Sequence, residues 1–289
     1  MHVRNPVEWG VDQIRVAGTA IGSMGSHTHT AAAPVIRRIT ASDVRAALTS
    51  GIEDFAAFRS DVAFLGIVYP VVGLVLARFA FGYGLLPLLF PLVSGFALIG
   101  PVAAVGLYEM SRRRETGGDS GWADALDVFG APSFGAILLF GLLLLAIFLV
   151  WLGVALSIYD RTLGPDEPAS IAAFAHDLVA TNAGWTLIGA GIGVGFLFAA
   201  AVFAIGVMTV PVLLDRDVGL GVAIATSLRA VITNPGPMAL WGCIVVAGLV
   251  IGSMPLLLGL IVVMPVLGHA TWHLYRRVVV PEGENRLPH

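Results

Sequence analysis

Residues 134–158 read FGAILLFGLLLLAIFLVWLGVALSI, 25 consecutive positions without a charge. A hydrocarbon core about 30 Å thick takes about 20 helical residues to cross, so this stretch is long enough to span one. A helix packed on a soluble core keeps a charged face toward water, and this one has none. Nor is it alone. Val62–Tyr108 holds one charge, Arg78, and Val128–Tyr159, Leu178–Leu214 and Ala230–Tyr275 hold no Asp, Glu, Arg or Lys. Across the 289 residues 57% are apolar and 12% charged, about half the roughly 25% of charge in a soluble chain. A soluble enzyme, a nucleic-acid binder and a secreted disulfide scaffold are excluded. The fold class is an all-α membrane protein.

The uncharged blocks set the spans. Val62–Tyr108 is long enough for two, divided at Phe81-Gly82-Tyr83-Gly84 and Pro87. The next two blocks take one span each, and the last takes two, divided near Gly252-Ser253-Met254-Pro255. Six spans are expected, at about 62–81, 87–108, 134–158, 185–212, 237–253 and 255–275. The domain is then 41–280, between a disordered cytoplasmic tail over 1–40 and a cytoplasmic tail over 281–289. The tail near Met1 has no apolar core of signal-peptide length. Pro101, Pro211 and Pro265 fall within spans and predict kinks.

All 16 basic residues are arginine, which removes Schiff-base chemistry and a P-loop lysine. Their placement sets the orientation. With six spans, Arg45, Arg59, Arg112, Arg113, Arg114, Arg216, Arg229, Arg276, Arg277 and Arg286 share one side. Only Arg78 and Arg161 fall near the other, so both termini are expected in the cytoplasm of a bacterial inner membrane. Each of three hairpins follows an amphipathic stretch on that side: Val44–Ala56, Trp122–Phe129 and Val222–Ile232. Their apolar residues recur at helical spacing, the pattern of interfacial helices. A shift of 164 places Pro101-Val102, Tyr108-Glu109 and Arg112-Arg113 over Pro265-Val266, Trp272-His273 and Arg276-Arg277. Pro211-Val212 and Asp215-Arg216 give a looser echo. Three units follow, at about 43–113, 119–216 and 217–277.

Few residues are left for chemistry. His269 and His273 stand at i and i+4, on one helix face near the cytoplasmic end of the sixth span. That spacing suits two metal nitrogens or a proton relay, and equally two interfacial histidines bonded to backbone or lipid. The glutamate of the zinc-protease motif is missing, because Ala270 follows His269, and no cysteine is near for a third ligand. Glu109 occupies the place of His273 in the internal alignment. Across a pseudo-symmetric centre it could face that imidazole, or it could pair with Arg112 and Arg113 on its own helix. Gly191 and Gly195, four apart within a span, read as helix packing. Cys243, the single cysteine, lies in an apolar run and makes no intramolecular disulfide.

Several motifs together resemble the DUF2189 family of bacterial integral membrane proteins over about 45–280. They are Phe90-Pro91-Leu92, Gly95-Phe96, Gly100-Pro101, Gly106-Leu107-Tyr108-Glu109 with Arg112-Arg113, and Pro211 with Leu213-Leu214-Asp215-Arg216-Asp217. Ser227, Arg229-Ala230, Asn234-Pro235-Gly236-Pro237 and Gly268-His269-Ala270-Thr271-Trp272-His273-Leu274-Tyr275-Arg276 complete them. The resemblance implies a protein of unknown function. Some members carry the label cytochrome c oxidase subunit I, but a haem–copper core similar to known ones would need more spans and more intramembrane histidines than His269 and His273. The expectation is a non-enzymatic scaffold or accessory component of a membrane complex, without cofactor or metal. Its partners would be the lipid bilayer and other membrane proteins or further copies of itself, with no nucleic acid. A small-solute or proton-linked transporter or channel is the alternative, with His269, His273 and Glu109 at a cytoplasmic gate. A haem- or metal-binding redox accessory is third.

Overall fold

The computed structural model describes residues 34–57, 86–88, 90–92, 100–117, 130–166, 168–255 and 257–281, with Val71, Val75, Arg78 and Gly95. Most of the span expected at 62–81, residues 89, 93–94 and 96–99 of that at 87–108, the amphipathic stretch Trp122–Phe129 and most of both tails lie outside these residues. Among the described residues the chain is helical, without strands. We label α1 (41–57), α2 (Val105–Glu115), α3 (Phe134–Thr162), α4 (Ile171–Ala180), α5 (Asn182–Gly206), α6 (Thr209–Asp215), α7 (Leu220–Thr233), α8 (Pro235–Ser253) and α9 (Leu260–Val278).

Three helical rods among them are long and apolar enough to cross a membrane: α3, α5 continued by α6, and α8. They match the third, fourth and fifth expected spans. The fourth bends. Pro211 has no N–H to give the carbonyl of Val207, four residues back, and the rod breaks at Val207–Met208. Ser227 of α7 enters that break, donating to the Ala204 carbonyl at 2.8 Å and accepting from the Met208 N–H at 3.2 Å. Polar backbone opened by the proline is thereby satisfied inside protein, as an apolar surrounding requires. Pro265, in contrast, sits within a continuous helix.

The helix at the sixth expected position departs from the reading. It begins at Leu260, after turns at Met254–Pro255 and 257–259, and is buried along most of its length. Its first half packs on α8, where Gly252 and Gly259 meet so closely that a Cβ on Gly259 would lie 2.7 Å from the Gly252 carbonyl oxygen. Its second half runs between α1 and α2. The amphipathic stretches also turn inward. Val44, Ala47 and Gly51 of α1, and Ala223, Thr226, Ser227 and Ala230 of α7, are buried in the protein. Their small residues pack against helices, while Ile52 (50% exposed) and Ile232 (76%) stay on the outside.

Residues 34–40, expected in the disordered tail, form an extended strap. The Arg37 N–H donates to Val278 O at 2.7 Å, Val280 N–H donates to Val35 O at 3.0 Å, and one antiparallel bridge joins Ile36 to Val279. Asn234, between α7 and α8, treats the strap as a strand partner. Its Oδ1 accepts from Ile39 N–H at 2.8 Å and its Nδ2 donates to Arg37 O at 3.0 Å. Arg229 donates to Pro34 O and Arg216 to Val280 O. Asn234→Asp would turn the donor into an acceptor facing the Arg37 and Ala230 carbonyls. It is expected to cost about 1–3 kcal/mol, read as faster proteolysis within 34–40 with α3 and α5 still protected.

Candidate functional site

The cluster begins with how closely α9 is approached. Gly268 lies against Leu107 of α2, where an added Cβ would stand 2.6 Å from Leu107 Cδ1. Ala270 lies against Gly51 of α1, where a Cβ would stand 2.5 Å from the Ala270 Cβ. Small residues at both crossings let backbones approach as in membrane helix pairs. Between them His269 is fully buried, and one turn later comes His273.

Both histidines join a hydrogen-bonded group centred on Asp54 of α1, itself 5% exposed. Ser111 Oγ of α2 donates to Asp54 Oδ2 at 2.6 Å, and Arg114 Nη1 donates to Oδ1 at 2.7 Å. His273 Nε2 lies 2.8 Å from Oδ2, and Ser111 Oγ lies 2.7 Å from His269 Nδ1. A hydroxyl has one proton, and Ser111 spends it on the carboxylate. The proton between Ser111 and His269 must then come from Nδ1, and His273 must donate from Nε2. Asp54 thus accepts from two other helices and ties α1 to α2 and α9. Serine, histidine and aspartate are together here, but the bonds run opposite to an acyl-transfer triad. In such a triad the imidazole takes the serine proton, whereas here it gives one.

Glu109 belongs to a second group. Its carboxylate accepts from Arg112 Nε at 2.7 Å, Arg112 Nη2 at 2.8 Å and Arg113 Nε at 2.9 Å, so the intrahelical pairing is the one formed. The carboxylate beside His273 is Asp54, not Glu109. On α9, Tyr275 Oη donates to Asp215 Oδ2 of α6 at 2.6 Å, with Arg276 Nη1 3.4 Å from the same oxygen. Trp272 Nε1 donates to Glu115 Oε2 of α2 at 3.3 Å, and Arg276 Nε lies 3.1 Å from that carboxylate. The three sequence echoes, at 101–113, 211–216 and 265–277, thus meet in space as α2, α6 and α9.

Burial pushes the carboxyls of Asp54 and Glu109 upward, and their donors more than reverse it. Hydrogen bonds from His273 and Ser111 bring Asp54 below its ordinary 3.8, and those from Arg112 and Arg113 bring Glu109 below 4.5. A carboxyl depressed on folding contributes stability above its unfolded value and loses it as pH falls through the folded one. In detergent, melting temperature is therefore expected to hold from pH 7 to about 4.5 and to fall steeply below 3.8. In Glu109→Gln the fall should be shallower.

Of the two expected packing glycines, Gly195 packs on Trp151, with a Cβ position 3.1 Å from its ring, whereas Gly191 has no described neighbour within 4 Å. Among the described residues no three His, Cys, Asp or Glu side chains are grouped to hold a metal ion. Sequence reasoning missed Asp54, Ser111, Asp215 and Tyr275. Asp54 left a signal, because it continues the buried helical stripe Val44, Ala47, Gly51 by three residues. An acid on the apolar stripe of an amphipathic helix needs a partner.

Three apolar rods of spanning length define an integral membrane protein. Residues 89–215 match the family model DUF2189, a predicted integral membrane protein, and the resemblance read from the sequence holds over that segment. No curated protein and no solved structure matches the chain.

Proposed function

We propose that the protein is a non-enzymatic scaffold or accessory component of a bacterial inner-membrane complex, with six crossings and cytoplasmic termini. One observation carries the reading: Asp54 is committed to Ser111, Arg114 and His273 on two other helices. The residues that chemistry would need are occupied in holding α1, α2 and α9 together as a platform at the arginine-rich end. The pairing of 35–37 with 278–280 supports both termini on one side, and the arginines support that side as cytoplasmic.

The test is affinity purification of the full chain from membranes in mild detergent, beside an Asp54→Asn variant. A partner recovered in constant ratio with the wild type, and lost with the variant, is the expected result. Repeated recovery of the wild-type chain alone would overturn the reading. The same purified protein should show no Soret band and no stoichiometric metal.

A further inference from the structure

The segment between the third and fourth expected spans holds the helix α4. Two rods of spanning length flank α4, so it sits at a membrane face. That face is the one away from the strap, since α5 runs from the α4 corner through α6 to Arg216, which donates to Val280 O where Val280 pairs with the strap. Its two sides differ. Phe174 turns inward, its ring 6.4 Å from that of Tyr159 on α3. Ile171, Ala175 and Val179, at i, i+4 and i+8, form an apolar stripe on the outside, with Ile171 59% and Val179 63% exposed. The helix's two ionisable residues, His176 and Asp177, lie off that stripe and pair at 3.6 Å.

The direction of the stripe is fixed by the corner into α5. Ser170 caps α4, accepting from Ala173 N–H at 3.0 Å. Thr181 caps α5 through Gly184 N–H at 2.9 Å while donating to the Asp177 carbonyl at 2.6 Å. A Cβ at Gly184 would lie 2.2 Å from that same carbonyl oxygen, so glycine is what lets the two helices meet at this angle. Trp185 closes the corner, its Nε1 donating to the Val179 carbonyl at 3.0 Å while its ring stays 60% exposed. The stripe therefore runs through Trp185 into the exposed face of α5, where Ile192 and Phe196 follow at helical spacing.

We propose that α4 and Trp185 form an interfacial anchor, lying in the headgroup region of the membrane face opposite the strap, with Ile171, Ala175 and Val179 against lipid. Continuity with the outward face of a membrane-spanning helix argues for lipid as the occupant. The stripe carries no charge for a charged partner, and an indole with its N–H bonded and its ring outward is the usual residue of that depth.

The test uses the full chain with Cys243→Ser in liposomes. Single cysteines replace Ile171, Ala175, Val179, His176 or Asp177 and carry nitroxide labels. Labels at 171, 175 and 179 are expected to collide with oxygen several-fold more often than with a water-soluble nickel complex, and labels at 176 and 177 the reverse. Two results would overturn the proposal: nickel access equal at all five positions, which means water, or protection of the stripe from both reagents, which means a protein or second copy covers it. All five positions are exposed, so the labels leave the packing intact.

Discussion

Asp54→Ala is expected to detach α1 from α2 and α9 and to cost about 3–5 kcal/mol, the usual result of removing one partner of a buried ionic group. The carboxylate is the sole acid shared by Ser111, Arg114 and His273 in this group. Its loss leaves the Ser111 hydroxyl and the His273 Nε2–H without that acceptor, in a place where water has little access. Asp54→Asn should fall between, because one side of the amide still accepts while the other points N–H groups at donors. Ser111→Ala should cost about 1–3 kcal/mol, because it removes a bond to Asp54 and leaves the buried His269 Nδ1–H without its acceptor, with Arg114 and His273 still on the carboxylate. Thermal unfolding in detergent ranks the three variants. An Asp54→Ala protein as stable as the wild type would mean that the α1 contacts are held by apolar packing alone.

That ranking concerns a residue the sequence reading passed over, and the reason is physical. The spans at 134–158, 185–212 and 237–253 were legible because a long uncharged run has one plausible environment, and α3, α5–α6 and α8 form there. Residues 255–275 gave the same signal, but hydropathy cannot tell a helix facing lipid from one wrapped by other helices. His269, Trp272 and Tyr275 in its second half belong to the latter. The site was half legible. An intramembrane pair of histidines announces itself, but its acceptor lies 219 residues away, and no local spacing links His273 to Asp54. Of the two readings of Glu109 the intrahelical one forms, because two arginines stand on its own helix at three and four residues' distance. Those contacts come at little entropic cost, so the local partner wins.

Gly51→Ala should be nearly as damaging as loss of Asp54, though it adds a single methyl group. An added Cβ would lie 2.5 Å from Ala270 Cβ, 2.6 Å from Ala270 N and 2.7 Å from Ala270 Cα. Backbone atoms cannot rotate aside, so the helices must separate. Asp54 stands three residues further along α1, and the separation that relieves the clash stretches its 2.8 Å contact with His273. The expected cost is about 3 kcal/mol, the upper part of the range for overpacking. Gly268→Ala tests the same geometry against a yielding neighbour, because the atom met is Leu107 Cδ1 at 2.6 Å, the end of a flexible side chain. About 1 kcal/mol is expected there. Gly153→Ala, with nothing within 4 Å, should stay within about 0.5 kcal/mol of neutral. Because Gly51 and Asp54 act on one interface, the double variant Gly51→Ala with Asp54→Ala should cost less than the two single costs added together. Full additivity would show that the α1–α9 crossing and the Asp54 bonds hold the chain independently, and the three helices would then not form a single stapled unit.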